Sequence, residues 1–380
     1  LTEQSLDSPQ TKMMPKIVSV HSFRRGTGKS SLIANLAVTI AQQGQRVGIL
    51  DADLPQPSEP EKSSVRDFLG LAAASTTQTL TDVMLGTATL KDVACDLASV
   101  VSSPERLFLI PYQIGPSKGL EVLQELHDIG LLSVTIEQIL SEFALDCLLI
   151  DIQAGINEQT LPLLALSDVL LLMLSLERPD FQGVAVAVDV AKRLEIPQTL
   201  LALAQVPPSI DLERFQQEAE AIYGIGMAGS LPWVENLADD RGVFCQRYPD
   251  DDFAQSTAAI AQRTFFQTAG VQLVPPTPLH RPTRGTQPGL SLLDLLELPD
   301  PQRQLLNWMM RRRTVALDDI LKKFEDEAAV QSLLEDLLER GFVVEVEINA
   351  ERCYQPAIAP KQSRKVDRRL WEVLEGDTDE

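Results

Sequence analysis

Basic residues, aromatics, cysteines and histidines are all scarce in this chain. Thirty-three Lys and Arg stand against 54 Asp and Glu, a formal charge of -21 at pH 7. A surface that acidic repels phosphate backbones and anionic lipid head groups unless a local basic patch overrides it. Nucleic acid and membrane are therefore disfavoured as general partners. Four cysteines in 380 residues, Cys95, Cys147, Cys245 and Cys353, show no CxxC spacing. They make neither a disulfide framework nor a zinc site, and read as reduced thiols of a cytoplasmic protein. Three histidines, His21, His127 and His280, lie far apart and nominate no metal cluster. The longest apolar run, Leu161 to Leu176, is short for a membrane span and is broken by Pro162 and Asp168. It reads as a helix end followed by a buried strand. The polar N-terminus has no apolar core of a secretory leader, so none is expected.

Apolar residues are plentiful, at 44% of a chain long enough for two or three domains. KIVSVHS, RVGILDA, RLFLIPY, DCLLIDI, DVLLLMLS and TLLALAQV are continuous apolar runs of strand length. Such runs suit strands covered on both faces. Helical patterns separate most of them; in the first, Leu32, Ile33, Leu36, Ala37 and Ile40 share one face. The expected fold class is α/β, a doubly wound, mostly parallel sheet, over residues 15–270. A flexible N-terminus precedes it at 1–14. A Pro-rich linker follows at 271–298, with VPPTPLHRPTRGTQPG inside it. Three helical patterns and two short strand patterns, FVVEVEI and ERCYQPA, then suggest a small winged helix-turn-helix domain over 299–357, its second helix starting near Thr314. A charged amphipathic tail closes the chain at 358–380.

The first strand runs into HSFRRGTGKSSLIANL, from His21 to Leu36. Gly26-Thr27-Gly28-Lys29-Ser30, between an apolar strand and an amphipathic helix, has the makings of a phosphate-binding loop. Glycines let backbone N–H groups wrap a phosphate closely, and a lysine neutralises its charge. A hydroxyl such as Ser30 reaches Mg²⁺, and the helix from Ser31 points its positive dipole end at the anion. Asp51 and Asp53 end the second apolar run and Asp151 ends another. Ligands of open α/β sheets bind at the carboxyl edge of the strands, so three such carboxylates belong beside the phosphates.

Together these stretches resemble the ParA/MinD family of P-loop ATPases, whose loop reads K-G-G-x-G-K-[ST]. Here the window is Arg24-Arg25-Gly26-Thr27-Gly28-Lys29-Ser30. VGILDADLPQPS resembles the family's second acidic motif, and LLIDIQAGINEQTL its Walker B and the switch after it. The likeness covers about residues 15 to 265. It implies a nucleotide-binding set of Arg25, Gly26, Thr27, Gly28, Lys29, Ser30, Ser31 and Gly155, the last lending an N–H near the γ-phosphate. It implies ATP and Mg²⁺, with Ser30, Asp51 and Asp151 serving the metal. Asp53 would position the attacking water, and Lys29 would bind the β- and γ-phosphates. Arg24 stands where the family's signature lysine crosses an ATP-dependent homodimer to the partner's nucleotide; its guanidinium suits that task. The implied activity is hydrolysis of ATP to ADP and phosphate.

Four departures leave turnover open. Phe23 replaces the loop's first glycine. Arg25 replaces another, and a Cβ there is excluded if φ is positive. Ile152 and Gln153 alter the switch. Ala204 and Gln205 stand where related sequences carry Asn-Lys, removing the residue that reads the adenine edge. The alternatives are a degenerate scaffold that keeps the fold without turnover, and a DNA-binding regulator. Against the latter, the expected recognition helix carries Asp326, Glu327, Glu335, Asp336 and Glu339 with only Arg340, whereas base readers present Arg, Lys, Asn or Gln. Arg311-Arg312-Arg313 fits the end of a helix, where cations suit the dipole. The expected partner is therefore a protein, met through the winged helix or the tail. The tail's acidic end, Glu375 to Glu380, disfavours membrane anchoring.

Overall fold

The computed structural model describes residues 15–54, 63–71, 78–101, 106–113, 129–208, 210–235, 237, 242–267, 298–312, 314–324, 327–348 and 351–357. The sequence-predicted N-terminal segment and tail, and the linker apart from Leu298, lie outside these residues. The chain divides into two compact units.

The larger unit is built on eight strands. These are β1 (Lys16–Ser22), β2 (Val47–Ala52), β3 (Cys95–Asp96), β4 (Leu107–Pro111), β5 (Cys147–Ile152), β6 (Val169–Leu174), β7 (Gln198–Val206) and β8 (Gly226–Pro232). Their order is β3-β4-β2-β5-β1-β6-β7-β8, parallel throughout except for the antiparallel edge strand β3. β1 lies centrally, paired in parallel with β5 and β6. The chain order reverses beside it, and that crevice is where such sheets hold ligands. β4, β5 and β6 are buried along their whole length, which is why they read as unbroken apolar runs instead of alternating ones. β8, with the sequence GMAGSLP, carries no such run and was not anticipated. Its Gly229 leaves room for Ile260, whose Cγ1 an added Cβ would meet at 2.9 Å.

The principal helices of this unit are α1 (Lys29–Gln42), α2 (Ile129–Glu142), α3 (Thr160–Ala165), α4 (Arg178–Arg193), α5 (Leu212–Tyr223) and α6 (Asp252–Ala261). α1 differs from the one-faced helix its pattern suggests: Ser31 to Val38 are all buried. It packs against the sheet and also against α6, so Asn35 is enclosed. Its side-chain carbonyl accepts the Cys245 N–H at 2.8 Å and its amide donates to the Ser31 carbonyl at 2.8 Å. Leu32, Ile33, Leu36 and Ile40 are each fully buried, worth about 1.5–3 kcal/mol apiece. The helix that presents the loop is thus anchored in the main core.

The smaller unit contains α7 (Asp300–Arg312), β9 (Val315–Ala316), α8 (Leu317–Phe324), α9 (Glu327–Glu339), β10 (Val343–Ile348) and β11 (Glu351–Pro356). The strands form an antiparallel sheet in the order β10-β11-β9. Leu305, Leu306, Met309, Ile320, Val330 and Leu337 fill a core of its own. The second helix starts at Leu317, two residues later than a cap at Thr314 suggests. Val315 and Ala316 are extended instead, paired with Tyr354 and Cys353 of β11; β-branched Val315 gains more from that ladder than from a helical turn.

Candidate nucleotide site

Between β1 and α1 the chain turns through Phe23 to Gly28. Gly26 has φ 81° and Gly28 φ 87°, left-handed values that glycine adopts without strain. Arg25 is not among the described residues with positive φ, which are Ala144, Glu195 and Gln205 besides glycines. The steric objection to a side chain at position 25 therefore falls, and Arg25 lies exposed. Gly28 caps α1 without a side-chain hydrogen bond, leaving the first-turn N–H groups for an anion.

Lys29 is only 5% exposed, and its ammonium lies 3.8 Å from Asp53 Oδ2. A buried ammonium needs compensation, and a carboxylate at 3.8 Å supplies charge without a hydrogen bond. The Ser30 hydroxyl donates to Asp151 Oδ2 at 2.6 Å. Asp51 and Asp151 are register partners on β2 and β5, both fully buried, and the Asp53 N–H donates to Asp51 Oδ1 at 3.3 Å. Thr27 and Ser31 are buried, and neither hydroxyl oxygen has a hydrogen-bond partner among the described residues. Each such group costs about 1–3 kcal/mol when left unsatisfied. Phosphate oxygens would satisfy both. Buried ammonium, open helix amides, two orphaned hydroxyls and a serine–aspartate pair are the donor set a magnesium triphosphate requires, so the residues fit that group.

Comparison with known proteins agrees. Residues 13–94 match the model of the ParA family described as NUBPL iron-transfer P-loop NTPase. The MinD cell division protein of Aquifex aeolicus superposes with a TM-score of 0.53 at 18% identity, covering 68% of this chain and all of that one. The large unit has the fold of a ParA/MinD-type P-loop NTPase. Along the sequence, the chain is 26% identical to an uncharacterized ATP-binding protein of Methanocaldococcus jannaschii over 262 residues, 66% of this chain and 88% of that one. It is 44% identical to an iron-sulfur cluster carrier protein of Haemophilus influenzae over 61 residues, spanning 16% of either chain.

The geometry of the large unit gives two expected site residues other partners. Arg24 bonds Glu177 at the start of α4, and its Nε lies 3.8 Å from buried Asp180 of the same helix, which also accepts from the Ser175 hydroxyl. Arg24 thus pairs within its own chain. The Gly155 N–H donates to the Ser22 carbonyl at 3.0 Å, so in this conformation it is engaged by the loop's own strand. Two further features were not legible beforehand. The Phe23 ring lies on Gly183 of α4, where an added Cβ would sit 1.9 Å from Phe23 Cγ. His21 is fully buried beneath the loop. Desolvation, then the Lys29 charge, push its imidazole down to about 4, and neither ring nitrogen has a hydrogen-bond partner among the described residues. The ring is neutral at pH 7.

Proposed function

We propose that this protein binds Mg-ATP at the Lys29 loop and works as a ParA/MinD-type switch, dimerising on ATP to recruit a partner and releasing it on slow hydrolysis. The observation that carries the reading is the buried Lys29 ammonium set between Asp53 and the Ser30–Asp151 pair. Arg25 to Ser31 would cradle the phosphates. Ser30 and Asp151, with Asp51 behind them, would hold Mg²⁺, which supplies charge neutralisation at the β- and γ-oxygens. Asp53 would orient the attacking water. Arg24, in the deviant loop window, would leave Glu177 and Asp180 to reach the nucleotide of a second copy. The name of the archaeal relative supports ATP as ligand. The role of the iron-sulfur carriers is not carried over: the likeness spans 16% of the Haemophilus protein, and Cys147, Cys245 and Cys353 are buried.

The deciding experiment pairs calorimetric titration of Mg-ATP with molecular mass by sedimentation, for wild type and Lys29→Ala. Micromolar binding and an ATP-dependent rise in mass, both lost in the variant, are expected. Equal mass with and without ATP defeats the switch.

A second reading, a scaffold without turnover, is favoured by the internal engagement of Arg24 and Gly155. Phosphate release that disappears in Asp53→Ala excludes it. The smaller unit is proposed as a winged helix that meets protein. Asp336 of its acidic α9 bonds Gln302 of α7, and Arg312 stacks over Trp308 at 4.6 Å. Both residues thus serve the unit's own packing.

A further inference from the structure

Trp233 follows β8 at the carboxyl edge of the sheet and is 60% exposed. Its backbone N–H donates to the Val206 carbonyl at 3.1 Å, which fixes it beside the end of β7. One residue before Val206, Gln205 has φ 55°, left-handed for a side chain that gains nothing locally from it. Such strain costs about 1–3 kcal/mol and marks sites where the surroundings hold the backbone. Here the holding contact is visible: the Gln205 side-chain amide donates to the Gly26 carbonyl at 3.2 Å. Gly26, Gln205, Val206 and Trp233 are therefore linked step by step, from the phosphate loop to a solvent-facing indole. Ala204, just before the kink, is 2% exposed and has no polar atom beyond its backbone.

We propose that Trp233 is the platform on which the base of a nucleotide held by the Lys29 loop stacks, and that this binding discriminates little between adenine and guanine. The proposal rests on the nucleotide reading above. Stacking tolerates any base because every base has a π-face. Discrimination needs a side chain that hydrogen-bonds the base edge; Ala204 offers none, and the Gln205 amide is held on the loop by the Gly26 carbonyl. The strained Gln205 sets the distance between loop and platform, which makes it a positioning residue.

The test is calorimetric titration of the full chain, with Mg²⁺ present, using ATP, GTP and inorganic tripolyphosphate. Trp233→Ala and Trp233→Phe stand beside wild type. ATP and GTP are expected to bind wild type within about five-fold of each other. Trp233→Ala is expected to weaken both about ten-fold, the scale of base–aromatic stacking, to leave tripolyphosphate unchanged, and to be largely rescued by Trp233→Phe. Equal losses for tripolyphosphate mean a structural role and overturn the platform. Unchanged nucleotide binding in Trp233→Ala does so too, and leaves the indole as a protein contact. A preference of ATP over GTP beyond about 100-fold overturns base tolerance. If wild type binds none of the three, the nucleotide reading fails and this proposal with it; if it binds all three and only the Trp233 effects are missing, this proposal alone fails.

Discussion

Lys29 and His21 bring opposite electrical problems to the same few ångströms. The ammonium is buried with one carboxylate at 3.8 Å, and the imidazole beneath it stays neutral, its proton affinity lowered to about 4 by burial and by the Lys29 charge. Unfolded, that imidazole returns to its ordinary value near 6.5, so the unfolded chain takes up the proton first. The resulting stability is whole above pH 6.5 and is lost as the pH falls towards 4, at most about 3 kcal/mol. Denaturant titration of the ligand-free protein at pH 7 and pH 4.5 should show His21→Gln losing less stability than wild type across that window. Parallel losses would mean that the ring titrates normally. Lys29→Ala should weaken Mg-ATP at least about 100-fold, since it removes a buried charge partner of the phosphates; calorimetry reads it directly.

At the scale of elements, the loop is tied to α4 twice, by Arg24 on Glu177 and Asp180 and by the Phe23 ring on Gly183. The question raised by Phe23 in a glycine's place has a packing answer: its counterpart lies 160 residues away, where a helical glycine makes room for the ring. Gly183→Ala forces the ring or the helix to move, at about 1–3 kcal/mol. A thermal melt should register this, and the double variant Phe23→Ala/Gly183→Ala should recover most of it, because the clash needs both partners. Additive losses would show that the two residues do not meet. α5 offers a more local check. Asp211 caps it by accepting the Arg214 N–H at 3.1 Å, so Asp211→Ala should cost about 1 kcal/mol in denaturant unfolding.

For the whole molecule, charge is the dominant fact. Two copies at -21 each repel before any interface forms. The proposed ATP-driven dimerisation should therefore tighten as salt rises from about 10 mM towards 150 mM, as screening shortens from about 30 Å to about 8 Å. Sedimentation across that range checks it; dimers that loosen with salt would point to an interface of opposed charges instead. No helix among the described residues is long and apolar enough to cross a membrane.

Six of the eight strands of the main sheet were legible because a strand covered on both faces is apolar along most of its length. The loop was legible because phosphate demands small residues and a lysine at fixed spacing, and that requirement is local. β8 was not, since its small residues take their burial from β7 and Ile260 and not from their own hydrophobicity. Nor could the sequence show that Arg25 avoids a left-handed backbone, that Arg24 rests on Glu177, or that Trp233 stands two hydrogen bonds from the loop. Local chemistry, read through periodicity and spacing, determined the architecture of the main sheet and nominated the candidate phosphate site. Which side chains meet across the carboxyl edge was decided by strand order alone, because that order places β1, β6, β7 and β8 side by side while the sequence keeps them tens to hundreds of residues apart.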